Sequence, residues 1–427
     1  MGPLLGCVAD DFTGATDLAS VLVRNGMRTT QTIGVPPGTA VPSSADAIVV
    51  SLKIRTVVPE QAVASASAAL DWLRRAGCRQ FFWKYCSTFD STELGNIGPV
   101  ADAMVRALDC GFALATPAFP ANARTVYQGH LFVGTSLLNE SGMEQHPLTP
   151  MKDANLVRVL GRQTEGAVGL VPFATVQEGA SAIRAALLAL RERGSRYAIV
   201  DALTDAHLRA IGEAAALHPL VTGGSGVAMG LPENFRRTGL LPEAADVGRL
   251  PSVRGRAAVL AGSCSRATLA QVAVARDHAA TLQLDPLATP EADEMIRQGL
   301  TWAEAQDSER PIVIAASAPP DRVSALQQRL GRDAAGSLVE STLAGIAEGL
   351  VRRGVRRLVV AGGETAGAVV QRLGVRTLRI GAEVDPGVPW TYAEGGTTPL
   401  LLALKSGNFG DRDFFLRAFS VLEEAPA

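Results

Sequence analysis

The chain is 427 residues long, 47% hydrophobic, 19% charged and 5% aromatic, with 43 glycines, a balance that excludes a disordered polymer and describes a globular protein. At about 150 residues per domain, this length fits two domains, each able to bury a core. Lysine plus arginine number 40 against 42 aspartates and glutamates, for a net charge of -2 with no block of one sign, so neither nucleic acid nor an anionic membrane is offered a concentrated basic surface.

The opening run, residues 1–9, has no basic segment and reaches Asp10 and Asp11 too soon for a secretory signal, so 4–9 is expected to be a core strand. A helix-period segment follows at 14–25, then a β-rich run at 47–52, a helix at 59–75, and strands at 80–84 and 112–116. A long helix at 176–193 precedes strands at 197–201 and 220–222. This alternation predicts parallel α/β layers. Between 230 and 256, Leu-Pro-Glu at 231–233 and 241–243 and Leu-Pro-Ser at 250–252 interrupt any periodic apolar face, which places a connection at 236–254 between domains 1–235 and 255–427.

A second alternation runs through strand 257–261, helix 266–278, strand 311–315, helix 337–353, strand 357–361 and helix 365–373. It closes with strands at 377–380 and 400–404 and a terminal helix from 412. The expected fold is α/β, two domains with mainly parallel sheets and an active site in the cleft between them. The longest apolar runs, 185–190 and 400–404, fall far short of the about 18 residues that cross a bilayer. Five cysteines without a C-x-x-C pair fit reduced thiols in a cytoplasmic protein, and five scattered histidines offer no zinc motif.

In open parallel sheets ligands collect at the carboxyl ends of strands, so the chemistry is sought there. The first strand runs into Asp10, Asp11, Phe12 and Thr13: an aspartate at this turn can take a proton from a hydroxyl, or Asp11 or Thr13 can simply cap the helix. Lys53 and Arg55 share a face if the strand continues through them, and Lys84 ends the next strand; three such cations suit a small carboxylate, although each alone can be an ordinary solvated residue. The hydroxyl-rich stretch 87–92, with Ser87 and Asp90, can bond a polyol or form a capped turn, and Arg124 is a further anion clamp. His130, alone in an apolar run, reads as structural.

In the second half three glycine turns follow strands: Gly262 to Ser265, Gly362 to Thr365, and Lys405 to Gly410. Turns of this kind aim backbone N–H groups at phosphate and need glycine for close approach, while each alone can be a plain βα turn. Gly224 and Gly226 are followed by Met229 where a dinucleotide fingerprint requires glycine, and no P-loop or nucleophile elbow is present. An anion-holding half joined to a phosphate-cradling half points to phosphoryl transfer.

Residues 9–15 (ADDFTGA), 84–92 (KYCSTFDST), 262–265 (GSCS), 362–365 (GGET) and 405–410 (KSGNFG) together resemble the four-carbon acid sugar kinase family, in order and over nearly the whole chain. Within it, 95–99 (GNIGP), 138–143 (LNESGM) and 146–151 (HPLTPM) are most similar to the 3-oxo-tetronate kinase branch. The resemblance implies an acid-sugar-binding amino-terminal domain, a nucleotide-binding carboxy-terminal domain, and ATP-dependent phosphorylation of the terminal 4-hydroxyl of a four-carbon sugar acid. It implies ATP contacts from Ser263, Ser265, Gly362, Gly363, Glu364, Thr365 and Gly407. Ile54 stands where relatives often have serine, and Ala123 where they often have glycine, two departures that can tune the substrate pocket.

On this reading Asp11, or else Asp10, orients and deprotonates the hydroxyl, while Lys53, Arg55, Lys84 and Arg124, with Ser87 and Asp90, bind the acid and balance charge. Mg2+ is expected with ATP, its ligand unassigned among Asp385, Glu364 and water. The partners expected are a small sugar acid and ATP, without nucleic acid or membrane, and a homo-oligomer is left open. Other readings are a D-threonate or D-erythronate kinase and a sugar-acid sensor without turnover.

Overall fold

The structure is a computed structural model that describes residues 2–38, 45–145, 149–243, 247–307, 309–396 and 398–424. Residues 146–148 of the 146–151 motif, and 244–246 of the 236–254 segment, lie outside them. The chain divides into two compact units, Met1–Val247 and Gly248–Ala427.

The first unit carries β1 (Leu5–Ala9), β2 (Thr29–Ile33), β3 (Ala47–Ser51), β4 (Gln80–Lys84) and β5 (Ala113–Thr116). It continues with β6 (Arg124–Tyr127), β7 (His130–Val133), β8 (Ser136–Leu137), β9 (Ala167–Val171), β10 (Ser195–Val200) and β11 (Leu220–Gly223). Eight of these form a sheet in the order β2-β3-β1-β4-β11-β5-β10-β9, and every neighbouring pair is parallel. Helices such as Phe12–Arg24 and Pro59–Arg75 cross between the strands. All five residues of β1 are buried, which explains its uninterrupted apolar sequence: a central parallel strand is covered on both faces. β6, β7 and β8 form a separate antiparallel sheet.

The second unit contains β12 (Arg256–Ala261), β13 (Thr281–Gln283), β14 (Ile312–Ala315), β15 (Val355–Ala361), β16 (Thr377–Asp385), β17 (Val388–Glu394) and β18 (Leu401–Lys405). Their order is β13-β14-β12-β15-β18-β17-β16. Pairing is parallel from β13 to β18 and antiparallel for β17 and β16. Alternate residues, Ala257, Val259 and Ala261 on β12 with Val359 and Ala361 on β15, enter one core with Trp390, Phe414 and Phe419, the period of two that puts every second side chain on one face.

Most expected strands and helices stand within a few residues of their predicted bounds. The exceptions are informative. β3 ends at Ser51, so Lys53 and Arg55 belong to the following loop and do not share a strand face. The segment expected to be one terminal helix from 412 forms two short helices, Phe414–Arg417 and Ser420–Glu424.

Candidate active site

In the first unit Ala9 and Lys84 stand side by side at the carboxyl ends of β1 and β4. The chain leaves β1 through Asp10, which is 3% exposed, and Asp11, which is the N-cap of the helix Phe12–Arg24. The Gly14 amide donates to Asp11 Oδ1 at 3.0 Å and the Thr13 hydroxyl to Oδ2 at 2.9 Å. Asp11 is therefore both the cap and a candidate for chemistry, because 26% of its side chain remains exposed. Gly14 is required at this crossing: a Cβ there would lie 2.3 Å from Asp11 Oδ1 and 3.0 Å from Lys84 Nζ.

Arg55 gathers three carboxylates. Its Nε and Nη2 donate to Asp10 Oδ2 and Oδ1 at 2.8 and 2.9 Å, Nη2 also reaches Asp11 Oδ1 at 2.8 Å, and Nη1 lies 3.6 Å from Asp90 Oδ2. The loop that presents it is held by Asn96, whose Nδ2 donates to the carbonyls of Ile54, Arg55 and Val57 at 2.7, 3.3 and 2.8 Å. A further chain of bonds links Cys86 Sγ to Thr88 Oγ1 at 2.9 Å and Thr88 Oγ1 to Asp90 Oδ1 at 2.5 Å. Since the threonine proton goes to the carboxylate, the thiol is the donor to Thr88, and burial first, then Asp90, push that thiol up to about 12.

The two neighbouring aspartates are driven apart. Burial raises the Asp10 carboxyl above its ordinary range, with Arg55 opposing. Burial would raise Asp11 too, but Arg55 and Lys84 with the bonds from Thr13 and Gly14 hold it below the usual value. Asp11 is thus the firmly ionised, partly exposed member of the pair.

Lys84 is 3% exposed and donates to the Tyr85 carbonyl at 2.8 Å, Lys53 is exposed, and Ser87 is half-buried on the loop that carries Asp90. Arg124 is not part of this gathering: it stands on β6 in the separate sheet and donates to the Asn122 carbonyl. Ala123, just before it, adopts φ 58° and ψ 34°, the left-handed region that glycine enters without strain. A cavity of about 820 Å³ beside the 91–92 segment is lined by His130, Lys152 and Arg158 but by none of Asp10, Asp11, Arg55 or Lys84. Its Arg158 is paired with Asp153 at 2.7 Å.

In the second unit the three glycine turns meet. β12, β15 and β18 lie in register with Ala261 beside Ala361 and Ala361 beside Lys405, so their following turns share one end of the sheet. Ser265 caps the helix Arg266–His278 by accepting from the Thr268 amide at 3.2 Å and donates to the Gly407 carbonyl at 2.5 Å. Gly362 has φ 125°, and a Cβ on it would lie 3.1 Å from the Ser263 amide nitrogen. A Cβ on Gly262 would sit 2.2 Å from Thr365 Oγ1, and one on Gly407 2.2 Å from Ser263 Oγ. These positions need glycine because the turns touch. Gly363 and Glu364 are exposed in the first turn of the helix Gly363–Arg372, where Thr365 is buried.

Sequence reasoning gave no role to the side chains beneath these turns. Lys405, 0% exposed, donates from Nζ to Thr268 Oγ1 at 3.2 Å and to the carbonyls of Ser406, Gly407 and Phe409 at 3.0, 3.0 and 2.9 Å. Burial pushes its ammonium down to about 7, with Asp385 opposing; the four oxygens around Nζ are complementary to the charged form. Gln271 Nε2 donates to the carbonyls of Phe409, Gly410 and Asp411 at 3.1, 2.8 and 3.0 Å. Asp385 is engaged by Arg417 and by the Asp411 amide. Among the described residues no group of three or more histidines, cysteines, aspartates or glutamates could hold a metal ion: the space among Asp10, Asp11 and Asp90 is filled by the Arg55 guanidinium. No helix among them is long and apolar enough to cross a membrane.

Two family profiles match the chain, one described as a sugar-binding N-terminal domain over residues 5–231 and one as a nucleotide-binding C-terminal domain over 258–415. A 3-oxo-tetronate kinase from Burkholderia multivorans is 60% identical over 99% of this chain and 98% of its own length. One from Cupriavidus necator is 57% identical over 98% and 97%. The crystal structure of a Haemophilus influenzae protein, 43% identical, superposes with a TM-score of 0.81 over 98% of this chain and all of its own. A Salmonella typhimurium chain provisionally labelled a tRNA synthase, 47% identical, gives 0.88 over 97% and 98%. With both halves matched and likeness running from end to end, the chain belongs to the four-carbon acid sugar kinase family.

Proposed function

We propose that this protein transfers the γ-phosphoryl group of ATP to the 4-hydroxyl of 3-oxo-tetronate, releasing ADP, 3-oxo-tetronate 4-phosphate and a proton. The observation that carries the reading is the end-to-end likeness to relatives named 3-oxo-tetronate kinase, at 60% and 57% identity. Residues 1–235 would bind the acid, 255–427 the nucleotide, and 236–254 would join them. The five free thiols fit a cytoplasmic enzyme.

Asp11 is the group we assign to the acceptor hydroxyl. It is ionised, partly exposed and fixed in direction by the cap that it makes, so it can orient the hydroxyl and take its proton as the new P–O bond forms. Arg55 and Lys84 balance the charge of Asp10, Asp11 and Asp90. The exposed Lys53 would meet the substrate carboxylate at the protein surface, with Ser87 on the adjoining loop for hydroxyls. Arg124, outside the cluster, would meet the acid only from the small sheet.

The nucleotide fits the second unit because its three turns approach so closely that side chains beyond Cα are excluded at Gly262, Gly362 and Gly407, the condition for main-chain contact with phosphate. Ser263, Ser265, Gly363, Glu364 and Thr365 border the same place. Mg2+ would ride mainly on the phosphate oxygens, as this small, strongly hydrated ion usually does in phosphoryl transfer, and would neutralise their charge. Phosphoryl transfer needs acid and nucleotide brought together with water kept out. A coupled ADP-release assay over 3-oxo-tetronate, D-threonate and D-erythronate tests the reading: turnover should be fastest with the oxo acid, and ADP release indifferent to all three would refute it.

A further inference from the structure

The turn after β18 is held from beneath by two buried side chains that no substrate can reach. Lys405, wholly buried, and Gln271, 1% exposed, together take up the carbonyls of Ser406, Gly407, Phe409, Gly410 and Asp411. The Gly407 carbonyl also accepts from Ser265 and Thr268. In a trans peptide the N–H points opposite to the C=O. Drawing these carbonyls inward therefore turns the amides of Gly407, Asn408, Gly410, Asp411 and Arg412 away from the ammonium and the amide. The Asp411 N–H is consumed by Asp385 at 3.0 Å, and the Phe409 N–H bonds the Ser406 carbonyl at 3.2 Å. Within the turn itself Gly407, Asn408 and Gly410 remain, of which Asn408 is exposed and the two glycines half-buried.

We infer that Lys405 and Gln271 are positioning residues for the nucleotide: by gripping the carbonyl side of the 406–411 turn, they present the Gly407, Asn408 and Gly410 amides as a receptor for the phosphate chain. The inference rests on the nucleotide reading above and adds to it the device that shapes the turn. Neither side chain touches ATP. Three amide donors, set over a buried positive charge, form a concavity suited to an anion, and the ammonium lends it a favourable field through the peptide layer. A neutral side chain at 405 removes the one charged donor that four oxygens share and leaves the Ser406, Gly407 and Phe409 carbonyls only their neutral partners, the Phe409 amide, Ser265 with Thr268, and Gln271, so the turn loosens and the amide array loses its fixed direction.

The test compares the full-length wild type with Lys405→Met and Gln271→Leu, using calorimetric titration with ADP and with adenosine, and thermal unfolding to establish that each variant is folded. Loss of charge-assisted organisation should weaken ADP binding by about tenfold or more in Lys405→Met, with a smaller loss in Gln271→Leu and adenosine affinity little changed. In turnover, KM for ATP should rise while KM for the sugar acid stays put. ADP affinity equal to wild type in either folded variant, or adenosine lost in step with ADP, would overturn the inference. Should the variants fail to fold, hydrogen exchange on the wild type decides: ADP, but not adenosine, must slow exchange at 407, 408 and 410, and unchanged exchange under saturating ADP refutes it. Failure of the wild type to bind ADP at all would instead strike the nucleotide reading itself.

Discussion

Arg55→Met is the sharpest probe of the carboxylate cluster. The guanidinium makes two hydrogen bonds to Asp10, whose side chain is 4% exposed, one contact with Asp11 at 26% and a longer one with Asp90 at 11%. Removing one partner of a buried pair strands the other charge, at a cost of about 3–5 kcal/mol, and Asp10 dominates because water screens Asp11. Asp10 already has a folded-state pKa above its ordinary value through burial, and loss of Arg55 raises it further. A carboxyl with a raised folded pKa holds its proton in the native state where the unfolded chain releases it. Its burden on stability therefore grows as pH rises through the folded pKa and eases as pH falls. The penalty should be largest near neutrality and smaller at pH 5, and Asp10→Asn added to Arg55→Met should recover part of it. Native-state hydrogen exchange of peptides covering β1 and β4 reads the opening free energy of this unit directly. A loss below about 1 kcal/mol, or one that does not shrink on acidification, would refute the account of Arg55 as the counter-ion of Asp10.

Asp11→Asn should lower kcat by about 10²- to 10⁴-fold and leave ADP affinity unchanged, while thermal stability falls modestly, since asparagine keeps the helix cap but loses the charge that Arg55 and Lys84 face; normal turnover would remove Asp11 from the reaction. Gly262→Ala places a Cβ 2.2 Å from Thr365 Oγ1 and 2.8 Å from Leu343 Cδ1; overpacking should cost about 1–3 kcal/mol and weaken ADP binding, both measurable by thermal shift with and without ADP. Chelation of Mg2+ should abolish turnover and added Mg2+ restore it, followed in the same coupled assay.

The parts of this fold set by local pattern were legible in the sequence. β1, β4 and β12 are short apolar runs that end in polar turns, and the helices 59–75 and 266–278 repeat every three to four residues; such signals need no knowledge of neighbours. The strand Thr29–Ile33 was not, because its three threonines and one glutamine are polar by type yet four of its five residues are buried. The antiparallel β6, β7 and β8, with partly exposed residues, carry no alternation strong enough to announce them. At the site, the Asp10-Asp11 pair and the glycine turns were visible as motifs, whereas partnership was not: nothing in the spacing of residues 10, 11, 55 and 90 says that one guanidinium joins them. Lys405 was in view within a motif, but its role depends on complete burial under a turn, a property of packing.

The strand order of the first unit also governs how the chain can be made. β4 lies between β1 and β11, with Phe81 opposite Leu220, so the central strand pair waits for a segment translated far later. At about 5–20 residues per second, the nascent chain carries an uncovered edge on β4 for on the order of ten seconds after that strand leaves the ribosome. Phe81, Phe82 and Trp83 lie on that edge, and they are the residues that a ribosome-bound chaperone would have to shield until residue 223 emerges.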